Sequence, residues 1–101
     1  MLISEFEDEE FNGLIDDGTI LLDFYADWCG PCKMLKEVID EFSSKNNDIK
    51  VIKINVDKHH VLSKKFGVMT IPTLILFKER KQIKKNIGFM PLEELVKWVN
   101  N

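Results

Sequence analysis

Cys29 and Cys32 are the only cysteines of the chain, and they stand three positions apart in the run Trp28-Cys29-Gly30-Pro31-Cys32. Two thiols at that spacing can exchange a disulfide with a substrate or supply half of a metal site. An apolar run, Thr19 to Ala26, ends just before them, and a helical pattern begins at about Cys32. This context puts Cys29 at or before a helix N-terminus and Cys32 within its first turn. Unpaired N–H groups and the helix dipole favour a thiolate there by about 0.3–2 kcal/mol. A thiol whose pKa lies near ambient pH is the best attacking group in disulfide exchange. A second thiol one turn away is within reach to resolve the mixed disulfide.

The metal reading needs more ligands. A zinc site would take a second pair at suitable spacing. The only histidines, His59 and His60, are adjacent, and 26 residues separate Cys32 from His59. Consecutive helical residues point about 100° apart and so rarely share one ion. No metal site is expected, and the two histidines read as a solvated helix start.

Two further features sit near the cysteines in sequence or in pattern. Asp23 is the one charge inside the apolar run Thr19–Ala26. It either points to solvent from a half-exposed strand or is buried, in which case burial would raise its pKa and make it a usable proton carrier. Thr70-Ile71-Pro72-Thr73 begins another apolar run. Proline cannot pair within a central ladder, so Pro72 belongs at a strand's first residue or edge. From the residues alone its peptide bond reads as trans, since most X–Pro bonds in folded proteins are.

These residues need elements to position them. Leu2–Phe6 reads as a short strand and Glu7–Ile15 as a short helix, with a turn at Asp16-Asp17-Gly18. Thr19–Ala26 is apolar enough for a strand buried on both faces. Cys32 to about Asn46 carries Leu35, Val38, Ile39 and Phe42 at helical spacing, with Pro31 just inside its start. Lys50–Val56 alternates as a strand, and Asp57 can cap a helix that reaches Phe66 and stops at Gly67. Thr73–Lys78 and Gln82–Ile87 form a hairpin whose turn, Glu79-Arg80, lacks the usual Gly or Asn. Pro91–Asn100 closes as a helix with Leu92, Leu95, Val96 and Val99 in its apolar stripe. Strands alternating with helices predict an α/β fold, a mixed sheet covered on both faces.

Composition limits what this chemistry serves. At 101 residues, 45% hydrophobic and 31% charged, the chain has the size and make-up of one globular domain spanning residues 1–101. A net charge of −3 argues against non-specific nucleic-acid binding. No apolar run is long enough to span a bilayer. Residues 1–32 hold nine acids and no Lys or Arg, whereas the remainder holds all 14 bases and eight acids. Five of those bases crowd into Lys78–Lys85. The first ten residues show neither the basic start nor the apolar stretch of a targeting segment, so a cytoplasmic location is expected. Thiols are kept reduced there, which favours redox chemistry over a structural bridge.

Over nearly its whole length the chain resembles the thioredoxin family. The resemblance rests on DFYADWCGPCKM, VIKINVD, GVMTIPTLILF and IGF followed by a terminal helix. It implies the thioredoxin fold, a central mixed β-sheet flanked by α-helices on both faces, with the first strand and the final hairpin at opposite edges. It implies a protein-disulfide reductase in which Cys29 is the exposed nucleophile and Cys32 the buried resolving thiol. Asp23 matches the family's buried acid, Lys53 a lysine near that acid, and Pro72 a cis-proline packed against the cysteines. Gly30 and Pro31 resemble the dipeptide of reducing members. Trp28, Ile71, Gly88 and Phe89 would form an apolar docking rim, with the backbone of Ile71 pairing with substrate. The implied partners are thioredoxin reductase, which draws on NADPH, and disulfide-containing proteins. No bound cofactor, nucleic acid or membrane is implied, and a monomer is expected.

Some positions depart from the family pattern. Glu37 stands where a proline often kinks the helix, so a straighter helix is expected. Tyr25 replaces a frequent tryptophan, and Phe89 follows Gly88 where a small residue is common. Two other readings remain open at this stage. One is a partner-specific disulfide oxidant or isomerase. The other is a non-enzymatic binding module that uses the apolar rim.

Overall fold

The computed structural model describes residues 1–101. Strand β1 (Leu2–Ile3) is followed by a 3-10 turn (Asp8–Glu10), α1 (Phe11–Leu14), β2 (Thr19–Tyr25) and α2 (Gly30–Lys45). Then come β3 (Lys50–Asn55), α3 (His60–Lys65), β4 (Thr73–Lys78), β5 (Lys81–Ile87) and α4 (Leu92–Asn100). The five strands form one sheet in the order β1-β3-β2-β4-β5. β1, β3 and β2 run parallel, while β4 and β5 are antiparallel to their neighbours. β1 and β5 therefore occupy opposite edges, as the resemblance implied.

Alternation along β2 divides the core into two layers. Ile20, Leu22 and Phe24 face α1 and α3, where they pack with Ile52, Ile54, Ile75 and Phe77. Phe66 joins this layer, its ring 5.7 Å from that of Phe11 and 5.8 Å from those of Phe24 and Phe77. Leu21 faces the other side, against Leu35, Ile39 and Phe42 of α2 and Leu95 and Val99 of α4. Asp23, two residues on, shares that second face. The central strand is thus buried on both sides, as its apolar run predicts, with Asp23 enclosed among the rest.

Several local expectations are corrected. β1 stops at Ile3, well short of Phe6, and the segment to Ile15 is a 3-10 turn leading into a single α-turn. Glu10 accepts from the Glu7 backbone N–H at 2.7 Å, a capping-box contact that fixes where this turn begins. Asp57 does not cap α3; His59 occupies that position, without a side-chain cap. Nor is His59 solvated: it pairs with Asp8 and stacks on Phe6 with ring centroids 4.4 Å apart. Val96 is exposed, while Met90, ahead of the helix, is buried in the α4 layer. α2 runs without a break through Glu37, and Gly67 ends α3 with a φ of +66°.

The β4–β5 turn settles what the sequence left open. Glu79 and Arg80 both hold positive φ, 50° and 68°, which is the backbone of a type I′ turn. Side chains with a Cβ hold this region at a cost that Asn and Gly largely avoid. The double substitution Glu79→Asn/Arg80→Gly is expected to stabilise the protein by about 1 kcal/mol. Thermal unfolding should report a midpoint roughly 4–8 °C higher; an unchanged or lower midpoint would contradict strain at this turn.

Candidate functional site

The carboxyl end of β2 delivers the chain directly to the start of α2. Cys29 is the N-cap of that helix, with extended backbone (φ −91°, ψ 114°) and the following Gly30 and Pro31 in the first turn. Pro31 lacks an N–H that would have no partner there. The Cys32 backbone N–H donates to Cys29 Sγ at 3.2 Å. A sulfur thus takes the place of the Ser or Asp oxygen that caps most helices, and negative charge on it is stabilised by that N–H and by the helix dipole.

Cys29 and Cys32 are joined as a disulfide, with their Cα atoms 5.2 Å apart. The resemblance predicted an exposed first thiol and a buried second one. In this oxidised form both are enclosed, at 5% and 6% exposure. They pack with Ala26, Tyr25, Val56 and Ile71 in a small cluster of their own. Cys29 Sγ lies 3.9 Å from the Ile71 carbonyl oxygen. The Ile71–Pro72 bond is cis, and Pro72 is buried at the head of β4. The trans reading taken from the residues alone is corrected here.

Asp23 is buried, at 2% exposure, and its Oδ1 has no hydrogen-bond partner. Burial pushes its pKa from 3.8 up to about 7; Lys53 opposes the rise and Asp40 adds to it. The solvent-facing alternative is excluded. Lys53 is opposite Asp23 in the β2–β3 register and is itself buried. It forms no ion pair with the carboxylate; its ammonium lies over the Tyr25 ring, 4.7 Å from the centroid. Opposite charge lowers the pKa of Asp23, but desolvation dominates.

Around this centre the rim residues are unequal. Trp28 is 70% and Phe89 42% exposed, whereas Ile71 and Gly88 are half-buried. The Trp28 indole N–H donates to Asp57 Oδ2 at 2.9 Å, and the Asp57 N–H donates to Asn55 Oδ1 at 2.9 Å. Gly88 N–H donates to the Pro72 carbonyl at 2.8 Å, which ties the end of β5 to the proline. Sequence reading missed Asp57 in this role, because the partner of Trp28 lies 29 residues away and neither spacing nor composition marks it.

The thioredoxin family model matches residues 2–101. The chain belongs to the thioredoxin family. It is 40% identical to a thioredoxin of Bacillus subtilis, over 99% of this chain and 97% of the relative. A thioredoxin of Chlamydia caviae is 39% identical over 91% of this chain and 90% of its own. Among solved structures, a mutant thioredoxin from Halobacterium salinarum superposes with a TM-score of 0.89 at 33% identity. That match covers 98% of this chain and 88% of the other. Family membership and the joined cysteine pair make the chain a thiol–disulfide oxidoreductase of the protein-disulfide reductase type. The thioredoxin fold brings Cys29, Cys32, Ile71 and Pro72 together from α2 and the β4 approach. No helix is long and apolar enough to cross a membrane, and no three His, Cys, Asp or Glu side chains converge as metal ligands.

Proposed function

We propose that the chain reduces protein disulfides in the cytoplasm, with Cys29 as nucleophile, Cys32 as resolving thiol and Asp23 as proton acceptor. The observation that carries this reading is the Cys29 sulfur seated as N-cap of α2, bonded to Cys32. In the reduced protein the Cys29 thiolate attacks one sulfur of a substrate disulfide. That bond breaks, a mixed disulfide forms, and the other substrate sulfur leaves as a thiolate. The Cys32 thiol passes its proton toward Asp23 and attacks the Cys29 sulfur. The second substrate sulfur leaves, two electrons have moved to substrate, and the Cys29–Cys32 disulfide remains.

Gly30 and Pro31 keep the two sulfurs on one short turn, and Lys53 moderates the charge at Asp23. Trp28, Ile71, Pro72, Gly88 and Phe89 receive the substrate segment, the Ile71 backbone pairing with it as an added strand. Thioredoxin reductase, drawing on NADPH, returns the dithiol. The enzyme acts as a monomer and binds no cofactor or metal, and its cellular role is redox homeostasis.

The equilibrium reduction potential of the pair tests this directly. Titration against a thiol–disulfide buffer, followed by Trp28 fluorescence, is expected to give a value well below roughly −180 to −210 mV, the poise of an oxidising compartment. A value at or above that range would move the protein to an oxidant or isomerase role. The absence of any reversible transition would leave a binding module.

A further inference from the structure

We propose that Asp40 is a positioning residue for proton transfer at Asp23, and that its ion pair with Lys36 sets how strongly it acts. This rests on the reading of Asp23 as the acceptor of the Cys32 proton. A cavity of about 400 Å³ opens beside Cys32, and its wall includes Cys32, Lys53, Lys36 and Asp40. Asp23 is sealed, so this space, bordered by the resolving thiol, is where a proton bound for solvent would emerge. Asp40 and Lys36 stand one turn apart on α2, with Lys36 Nζ 2.8 Å from Asp40 Oδ2. An isolated exposed pair of this kind contributes little to stability. Its place on a cavity wall shared with Cys32 and with Lys53, the register partner of Asp23, gives it another use.

The groups around Asp23 and the neighbouring cavity come from several elements and the loops beside them. From β3 comes Lys53, opposite in register. From β4 comes Leu74, which carries no charge. To the cavity wall α2 supplies Cys32, Lys33 and the Lys36–Asp40 pair, and α4 adds apolar side chains to the layer beneath. Tyr25 follows on the same strand, and Glu5 and Asp27 line the same cavity. Lys53 and Asp40 carry opposite charges and so act on the buried carboxyl with opposite signs. A negative Asp40 disfavours a second negative charge on Asp23, which holds Asp23 ready to keep a proton. Lys36 masks part of that negative charge.

The two members of the pair should consequently move Asp23 in opposite directions. In the oxidised protein, Asp40→Asn is expected to lower the midpoint of the Asp23 carboxyl titration, read by carbon NMR, by about half a pH unit at low ionic strength. Lys36→Gln is expected to raise it by a comparable amount, and in the double variant the Lys36→Gln effect should vanish. The pH profile of mixed-disulfide resolution should move with the midpoint, and high salt should shrink each displacement. Both side chains are well exposed, 62% for Lys36 and 42% for Asp40, so these variants retain the fold.

An unmoved midpoint in either single variant, or displacement of both in the same direction, would overturn the proposal, since general loosening of α2 has no sign preference. The parent and Asp23→Asn profiles separate this from the underlying reading. If Asp23→Asn leaves the resolution profile as in the parent, Asp23 is not the acceptor and the basis of the proposal is gone. If that profile is lost while Asp40→Asn and Lys36→Gln do nothing, Asp23 stands and Asp40 has no part.

Discussion

Cys29→Ser is expected to lower turnover of a protein disulfide by at least about 10³-fold while leaving the fold intact. The hydroxyl can still accept the Cys32 N–H as a helix cap, so the structural part of the Cys29 role survives. The chemical part does not, because a serine hydroxyl at neutral pH neither ionises nor exchanges with a disulfide. Cys32→Ser is expected to fail differently. Attack by Cys29 still occurs, and the mixed disulfide with substrate accumulates because nothing resolves it. Mass spectrometry of the two variants after exposure to an oxidised protein should show a covalent adduct on Cys32→Ser and none on Cys29→Ser. The reverse pattern would exchange the roles of the two thiols. This order follows from the helix: Cys29 Sγ receives the helix N–H, and Cys32 supplies it.

The second large effect concerns Asp23 and shows in stability as well as in rate. Its pKa rises from 3.8 to about 7 in the folded protein, chiefly through burial. Below about pH 4 the carboxyl is protonated in folded and unfolded chains alike. Between about pH 4 and pH 7 the folded protein keeps a proton that the unfolded chain has released, so stability falls as pH rises. Above the folded pKa the charge is carried in the core and the full penalty remains, roughly 4 kcal/mol. Asp23→Asn removes the charge at similar volume. The variant should be about 2–4 kcal/mol more stable than the oxidised parent at about pH 8 and close to it at about pH 4. Urea unfolding across that range checks this, and the same dependence of stability on pH in parent and variant would refute it. Resolution of the mixed disulfide should slow at neutral pH by about 10-fold or more, since the Cys32 proton then has no internal acceptor. Under the proposed mechanism, the same buried carboxyl that costs stability at neutral pH speeds resolution.

The elements positioning these groups were legible to different degrees. β2, β3, β4 and the long α2 follow from apolar runs and helical spacing, since burial on one or two faces writes itself into the period of the sequence. The first fifteen residues were read less well. There the apolar residues keep no sustained helix or strand period, and the segment is held by distant partners, among them the Asp8–His59 pair. Asp57 read as a helix cap because Asp often is one; its carboxylate instead anchors Trp28.

By itself the sequence determined the chemistry. Two thiols at this spacing, at a strand-to-helix junction, place a sulfur at a helix N-terminus, and that follows from local geometry alone. It also determined the layers, because side chains alternate along strands and recur along helices. Tertiary structure decided the environment of each reactive group. Whether Asp23 meets water or the core depends on α2 crossing the sheet at that point. Whether Lys53 pairs with it depends on a competing ring, that of Tyr25. The cis bond before Pro72 and the approach of Ile71 to Cys29 join segments 42 residues apart. Burial and desolvation are properties of neighbours brought from elsewhere in the chain, so no local pattern encodes them.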